Sequence, residues 1–303
     1  MRKFIFGVIL LLAFPALLLA DKPKPKDKPA PTGEDVVDFA AIEKSFKFQT
    51  GKIPLGTDLA SLSLPAGYRF LDGTQAEKVI TELWGNPSPR NKPLGLILPP
   101  DNDLISEDSW AVIVTYTDEG HVEDGDANSI NYDEMLKDMQ KASAEENAER
   151  TKQGFGAVEI IGWAERPRYE AASHKLYWAK NLKFVEGETN TLNYDVRALG
   201  RTGVLSMNAV ASMKDLAKVQ ANMKDVIGFV EFNKGKRYED FDSSVDKVAA
   251  YGLGALIAGT AAAKVGLFKG LLVALLAAKK LVIVGLVALG ALLKKLFSGK
   301  SEE

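Results

Sequence analysis

Polar and apolar residues alternate through the central part of the chain, which predicts the strands of an antiparallel sheet. Leu176, Trp178, Leu182 and Phe184 share one face of the first strand, and the following strand repeats the same two-residue period. Polar and glycine-containing stretches separate these runs and predict a loop and a turn. The meander is predicted as strands over 176–184, 192–198 and 204–210, with a loop at 186–190 and a turn at 200–203.

Shorter apolar runs on both sides of this meander predict further strands, and helix start signals stand between them. Thr74 and Glu77 form a capping-box sequence, and Asn131 begins a mostly charged helix that ends near Gly154. A later helix carries its apolar residues on one face, at Leu216, Val219, Met223 and Ile227. The other predicted elements are strands at 46–49, 60–64, 68–71, 94–98, 110–116 and 229–232, and a helix at 74–83.

Strands that are grouped together and flanked by a few helices predict an α+β fold, with the helices packed against one face of an antiparallel sheet. The order of meander, helix and short strand resembles the closing half of the Mog1/PsbP-like fold. This is a resemblance of topology, so it implies a fold and no function.

The N-terminus has the pattern of an export signal. Residues 1–20 combine a basic start at Arg2 and Lys3 with an apolar stretch that closes on Ala20. This predicts a signal peptide, either cleaved or retained as an N-terminal anchor. Residues 21–33 alternate lysine with proline and predict an extended linker, either simply solvated or in contact with anionic lipid headgroups.

The C-terminal part is far more apolar than the rest. Its uninterrupted apolar runs cover 248–263, 270–278 and 281–293, separated by lysines that could snorkel to a membrane surface. Membrane helices are therefore predicted over 248–268 and about 281–297, with the basic end remaining cytoplasmic. The alternative is a soluble apolar hairpin docked on the sheet. The predicted domains are a signal peptide (1–20), a linker (21–33), an exported α+β domain (34–247), a membrane-anchoring segment (248–297) and a polar tail (298–303).

Small residues recur at every fourth position within this apolar segment. Such a ladder lets membrane helices approach closely, and it predicts contacts with the lipid bilayer and self-association. The alternative is that alanine and glycine are simply abundant in membrane helices. The ladder consists of Gly254, Ala258, Ala262, Gly266, Gly270, Ala274 and Ala278.

Charge is distributed unevenly along the 303 residues, although the formal net charge is only −2. Residues 34–247 carry 25 basic and 36 acidic side chains, whereas the two ends are basic. An acidic middle between basic, apolar ends is typical of a soluble domain tied to a membrane. The near-zero net charge also argues against a nucleic-acid partner, since nucleic-acid-binding proteins usually carry an excess of basic residues. The absence of cysteine excludes thiol chemistry and thiolate metal sites.

The loop 119–128 is the densest acidic cluster of the chain, and no metal site is predicted there, although three of its residues are candidates. Asp124, Asp126 and Asn128 occupy the first three ligand positions of a calcium loop. Ser129 and Met135 then stand where the pattern needs glycine and glutamate, so a solvated loop before the capped helix explains the same residues. The two histidines, His121 and His174, lack a recognisable catalytic partner in the sequence, and no cofactor is predicted.

Seven stretches of the chain form a recognisable set: Phe48–Ile53, Leu62–Asp72, Leu83–Pro87, Asp108–Ile113, Leu192–Arg197, Tyr238–Asp242 and Val245–Gly252. Together they resemble a bacterial family of uncharacterised membrane-anchored proteins, domain of unknown function 2167. The resemblance covers roughly residues 40–297. It implies export and membrane anchoring, and it supplies no catalytic residues.

The sequence therefore predicts a non-enzymatic binding module, anchored in the bacterial inner membrane and facing the periplasm. Its expected partners are the lipid bilayer and either an envelope protein or a second copy of the chain. Two alternatives remain open. One is a metal-dependent hydrolase that uses loop 119–128 with His121, and the other is a membrane-active oligomer formed through the small-residue ladder.

Overall fold

A computed structural model describes residues 43–86, 88–89, 91–106, 109–185, 187 and 189–259. The predicted signal peptide, the linker, most of the membrane-anchoring segment and the polar tail lie outside the described residues. Within them, no helix is both long enough and apolar enough to cross a membrane.

An antiparallel sheet of seven strands forms the centre of the domain, in the order β3-β4-β5-β9-β8-β7-β6. The predicted meander is confirmed, because β7, β8 and β9 pair as consecutive antiparallel neighbours. The turn between β8 and β9 is closed by the Gly200 N–H, which donates to the Gly203 carbonyl at 2.8 Å. The strands are β3 (Arg69–Asp72), β4 (Pro93–Leu98), β5 (Ala111–Thr117), β6 (Val158–Glu170), β7 (Lys175–Phe184), β8 (Thr191–Leu199) and β9 (Val204–Ser212).

A second, three-stranded sheet lies beside it, in the order β1-β2-β10. Its strands are β1 (Lys52–Leu55), β2 (Ala60–Ser63) and β10 (Val230–Phe232). The predicted last strand is therefore present, and it pairs with a strand about 170 residues earlier in the sequence rather than with the meander.

Helices complete the described part of the domain, together with short 3₁₀ segments at Met213–Asp215 and Tyr238–Asp240. Helix α1 (Gly73–Lys78) continues as a π-helix (Val79–Leu83), and its first turn is capped by Asp72 rather than by Thr74, because the Asp72 carboxylate accepts the Gln75 N–H. Helix α2 (Tyr132–Lys152) is capped by Asn131, as the sequence predicts. The other two are α3 (Leu216–Gly228) and α4, which is described over residues 253–259.

The helices cover both faces of the large sheet, so the prediction of helices on one face is wrong. Tyr177 and Ala179 of β7 lie on the face that packs against α3 and the small sheet. Leu176 and Trp178 of the same strand point to the opposite face, against α4. In the first half of β7, Leu176, Tyr177, Trp178 and Ala179 are all buried, and a strand buried on both sides needs a cover on each.

Three strands differ from the prediction, and strand β1 is one that was not predicted. Residues 46–49 form only an isolated bridge, from Gln49 to Phe70. Strand β6, by contrast, was not predicted, because Gly162 and Pro167 interrupt its pattern and its pairing with β7 contains register shifts.

Helix α2 protects part of the outer edge of β6. The Ser143 hydroxyl and the Asn147 amide each donate to the Val158 carbonyl at 2.9 Å, and the Asn147 side chain also accepts the Val158 N–H. Gln140 donates to the Ile160 carbonyl at 2.9 Å. These polar residues of a charged helix therefore satisfy backbone groups that an edge strand would otherwise leave unpaired.

Candidate functional site

Four aromatic rings from distant parts of the sequence stack on one another at one end of the large sheet. We call His174, Tyr238, His121 and Phe241, in this spatial order, the ring cluster. Successive ring centroids are 3.9, 4.3 and 4.0 Å apart. Both histidines of the chain belong to it, although they are more than 50 residues apart in the sequence. The structure thus brings together two residues that the sequence analysis treated as unrelated.

His174 is held in a defined orientation by the turn between β6 and β7. Its backbone adopts a left-handed conformation with φ of 50°, which is uncommon for a residue with a side chain. Its Nδ1 lies 3.1 Å from the Tyr169 hydroxyl, and that hydroxyl donates to the Asp124 carboxylate at 2.7 Å. Burial, and then the neighbouring carboxylate, raise the pKa of Tyr169, so its hydroxyl stays protonated. Tyr169 therefore links the acidic loop to His174.

Tyr238 and His121 form the interior of the ring cluster. The Tyr238 hydroxyl donates to the Val122 carbonyl at 3.1 Å, and burial followed by the charge of Asp124 raises the pKa of Tyr238 to about 12. His121 is only 6% exposed, and its Nδ1 lies 3.3 Å from the Arg201 carbonyl. His121 is thus enclosed, whereas the side chain of His174 is 29% exposed.

A cleft of about 280 Å³ opens beside the exposed end of the ring cluster. His174 and Tyr238 contribute to its wall. The other lining residues come from the β6–β7 turn, the end of β8, and β10 with the chain that follows it. They are Ser173, Lys175, Ala198, Leu199, Val230, Glu231, Phe232, Arg237 and Glu239.

The acidic loop 119–128 also binds the chain that precedes and begins α4. The His121 N–H donates to the Lys247 carbonyl and the Ala249 N–H donates to the His121 carbonyl, both at 2.8 Å. The Asp126 carboxylate accepts the N–H groups of Leu253 and Gly254, both at 3.0 Å. We call this contact between loop 119–128 and residues 246–254 the clasp.

Two further features tighten the clasp. The Arg201 guanidinium donates to the Asp246 carboxylate at 2.7 Å, and this contact holds the pKa of Asp246 below its usual value. Gly120 has φ of 111°, and a Cβ at this position would lie 2.7 Å from the Lys247 carbonyl oxygen. Only glycine fits this close approach of two backbones without displacement.

The residues that resemble a calcium loop have other partners in this structure. Asp126 caps α4, Asp124 accepts from Tyr169, and Asn128 is exposed. Among the described residues, no group of three or more histidine, aspartate or glutamate side chains is arranged to hold a metal ion. Of the small-residue ladder, Gly254 lies in the clasp and Ala258 packs near Met139, while the other five positions lie outside the described residues.

A buried charged group lies elsewhere, on the face of the sheet that also carries Trp178. Lys180 and Arg197 both contact the Asp195 carboxylate, with N–O distances of 3.5 and 3.0 Å. Burial lowers the pKa of Lys180. The sequence analysis did not predict this buried group, because Lys180 interrupts the apolar face of β7 and was left out of its alternating pattern.

With this geometry in place, comparison with known proteins identifies the class. The sequence profile of a family described as a protein of unknown function, DUF2167, matches residues 47–290, so the chain belongs to that family. The family resemblance inferred from the sequence is thus confirmed. A comparison with curated proteins finds no significant match.

Solved structures with a similar fold come from distant organisms. Cyanobacterial PsbP from Synechocystis is 12% identical and covers 67% of this chain and 98% of its own, with a TM-score of 0.35. LpqN of Mycobacterium tuberculosis, described as involved in cell envelope biogenesis, is 12% identical and covers 66% and 99%, with a TM-score of 0.31. The Ran-binding protein Mog1p of Saccharomyces cerevisiae is 11% identical and covers 61% and 95%, with a TM-score of 0.28. At these TM-scores the three similarities carry no argument about function.

Proposed function

We propose that this chain is a membrane-anchored protein of the bacterial cell envelope, and that its α+β domain is a non-enzymatic binding module facing the periplasm. The clasp is the observation that carries the proposal. It fixes the chain that leads directly into the apolar sequence after Gly259, so the domain is held close to the proposed anchor.

Apolar packing also connects this part of the chain to the domain, in addition to the polar contacts of the clasp. Ala249, Leu253 and Ile257 are at most 8% exposed and pack with Leu176 and Trp178. The start of the segment predicted as membrane-anchoring thus contributes to the core of the domain. We accordingly place the anchor within the apolar sequence that follows residue 259.

The absence of enzymatic activity is part of the same proposal. The carboxylates of the acidic loop, which a metal-dependent hydrolase would need as ligands, accept hydrogen bonds from Tyr169 and from the first turn of α4. His121 is enclosed between two rings. These contacts favour a structural role for the loop over the hydrolase alternative.

Membrane fractionation tests the anchor. Full-length protein should sediment with membranes and require detergent for release, and a chain ending after Gly259 should be soluble and folded. A chain ending at Asp246 is the matched comparison, since it loses the buried Leu253 and Ile257 and should be less stable than the chain ending after Gly259. Recovery of the full-length protein in the soluble fraction without detergent would contradict the proposal.

Cysteine labelling tests the orientation, because the chain has no cysteine of its own. Lys183→Cys lies at an exposed position of β7 and should react with a membrane-impermeant maleimide in intact spheroplasts. Labelling only after the cells are lysed would place the domain in the cytoplasm and contradict the proposal.

A further inference from the structure

We propose that the cleft beside the ring cluster binds a small organic oxyanion, a carboxylate or a phosphate ester. His174, Lys175 and Arg237 would contact its anionic group. The inference rests on the proposed function, in that it names the ligand class of the binding module.

The charged groups of the cleft support an anionic ligand. Among the described residues, neither Lys175 nor Arg237 forms an ion pair with a carboxylate. Lys175 is partly buried, whereas Arg237 and the two acidic lining residues, Glu231 and Glu239, are exposed. Lys175 is therefore the most enclosed charged group of the cleft wall. Since it has no carboxylate partner among the described residues, it favours an incoming anion.

His174 is oriented to bind before any ligand arrives. Its Nδ1 faces the Tyr169 hydroxyl and its ring stacks on Tyr238, so the ring cannot turn without breaking both contacts. Nε2 is left as the ring atom that can meet a ligand in the cleft. A ring that is already ordered loses little conformational entropy when a ligand binds, which favours affinity.

The apolar residues of the cleft wall indicate what kind of molecule carries the anionic group. Leu199, Val230 and Phe232 line the cleft together with the Tyr238 ring, and they provide an apolar surface beside the donors. The volume of about 280 Å³ lies just below the range of about 300–1,000 Å³ for small-molecule sites. The site therefore fits a compact molecule that carries one oxyanionic group on an apolar or aromatic body.

Calorimetric titration of the full-length protein in detergent micelles tests this inference, with benzoate and phenyl phosphate as probes. At least one of them should bind saturably, and benzamide, the neutral analogue of benzoate, should bind more weakly. Lys175→Ala combined with Arg237→Ala should reduce the affinity by about tenfold or more, since each removes a charge-assisted contact. Lys183→Ala, another lysine of β7 outside the cleft, should leave the affinity unchanged.

Nuclear magnetic resonance locates the binding independently. The chain has two histidines, so its imidazole Cε1 signals are assigned with a single His174→Gln variant. Saturating probe should shift the His174 signal more than that of His121, which is enclosed. A melting temperature of the double variant equal to that of the wild type shows that it is folded.

The inference is overturned if neither probe binds saturably, if benzamide binds as well as benzoate, or if the folded double variant retains full affinity. These results leave fractionation and cysteine labelling unaffected, so failure of the ligand class is distinguishable from failure of the proposed function. A protein that binds the probes but is soluble without detergent would support the ligand class and contradict the membrane anchor.

Discussion

Replacing Asp126 by alanine should open the clasp while leaving the rest of the domain folded. Its carboxylate accepts two N–H groups from the first turn of α4, at 3.0 Å each, and does so from a position more than 120 residues earlier in the sequence. It thereby satisfies orphan donors at a helix N-terminus and places a negative charge at the positive end of the helix. Loss of an N-cap side chain lowers the stability of a helix by about 0.5–2 kcal/mol. Hydrogen bonds to a charged acceptor are stronger than those to a neutral one, so the upper end of this range applies to Asp126.

We therefore expect a loss of about 2 kcal/mol, which raises the equilibrium constant for local opening of α4 about 30-fold. Hydrogen–deuterium exchange, read by mass spectrometry on peptides spanning 247–259, measures this directly. Exchange in β7 and β8 should change much less, because their pairing does not depend on the clasp.

Two variants serve as controls for Asp126→Ala. Asp126→Asn keeps an acceptor oxygen without the charge and should have an intermediate effect, whereas Glu123→Ala removes an exposed carboxylate from the same loop and should have almost none. Unchanged protection of 247–259 in Asp126→Ala would refute the capping role. Protection that rises when calcium is added to the wild type, and fails to rise in the variant, would instead support the metal-binding alternative.

Three further predictions concern the clasp and the ring cluster. Leu253→Ala should destabilise the domain by about 3 kcal/mol because the side chain is fully buried, whereas Val245→Ala, 73% exposed, should stay within about 0.5 kcal/mol in chemical denaturation. Tyr169→Phe should cost about 1 kcal/mol and shift the His174 imidazole signal, and an unmoved signal would show that the hydroxyl does not orient that ring. The Arg201 partner lowers the pKa of Asp246, so the ion pair stabilises the fold at neutral pH and this stabilisation is lost as the pH falls through that lowered pKa. The Asp246→Asn variant should therefore be less stable than the wild type at neutral pH, and it should lose less stability than the wild type below about pH 4.

Short sequence patterns correctly predicted a helix cap and a turn whose residues interact with neighbours in the sequence. Asn131 caps α2 through its own side chain, and the glycine turn at 200–203 joins two adjacent strands. These features depend on a few consecutive residues, so they can be found in a single sequence. The cap of α1 shifted by two residues, from Thr74 to Asp72, because both residue types satisfy the same donors.

The candidate site was not predictable in this way, because its parts meet only through long-range contacts. His121 and His174 are stacked on opposite sides of Tyr238, and no local pattern in the sequence marks their proximity. From its neighbours in the sequence, Asp126 was a candidate metal ligand or part of a solvated loop, whereas its hydrogen-bond donors are at Leu253 and Gly254. The sequence shows that Asp126 is a carboxylate able to accept hydrogen bonds, but only the fold shows that its donors are the N–H groups of Leu253 and Gly254.

One stretch of the family resemblance does contain information about the site. Residues 238–252 include Tyr238 and Phe241 of the ring cluster, Asp246 of the clasp, and the backbone that pairs with His121. His121 belongs to both features, since its ring stacks on Tyr238 and its backbone bonds to residues 247 and 249. A change in the position of Tyr238 therefore acts on a residue that also holds the chain before α4. The cleft is therefore connected to the chain before α4 through packed side chains and paired backbone.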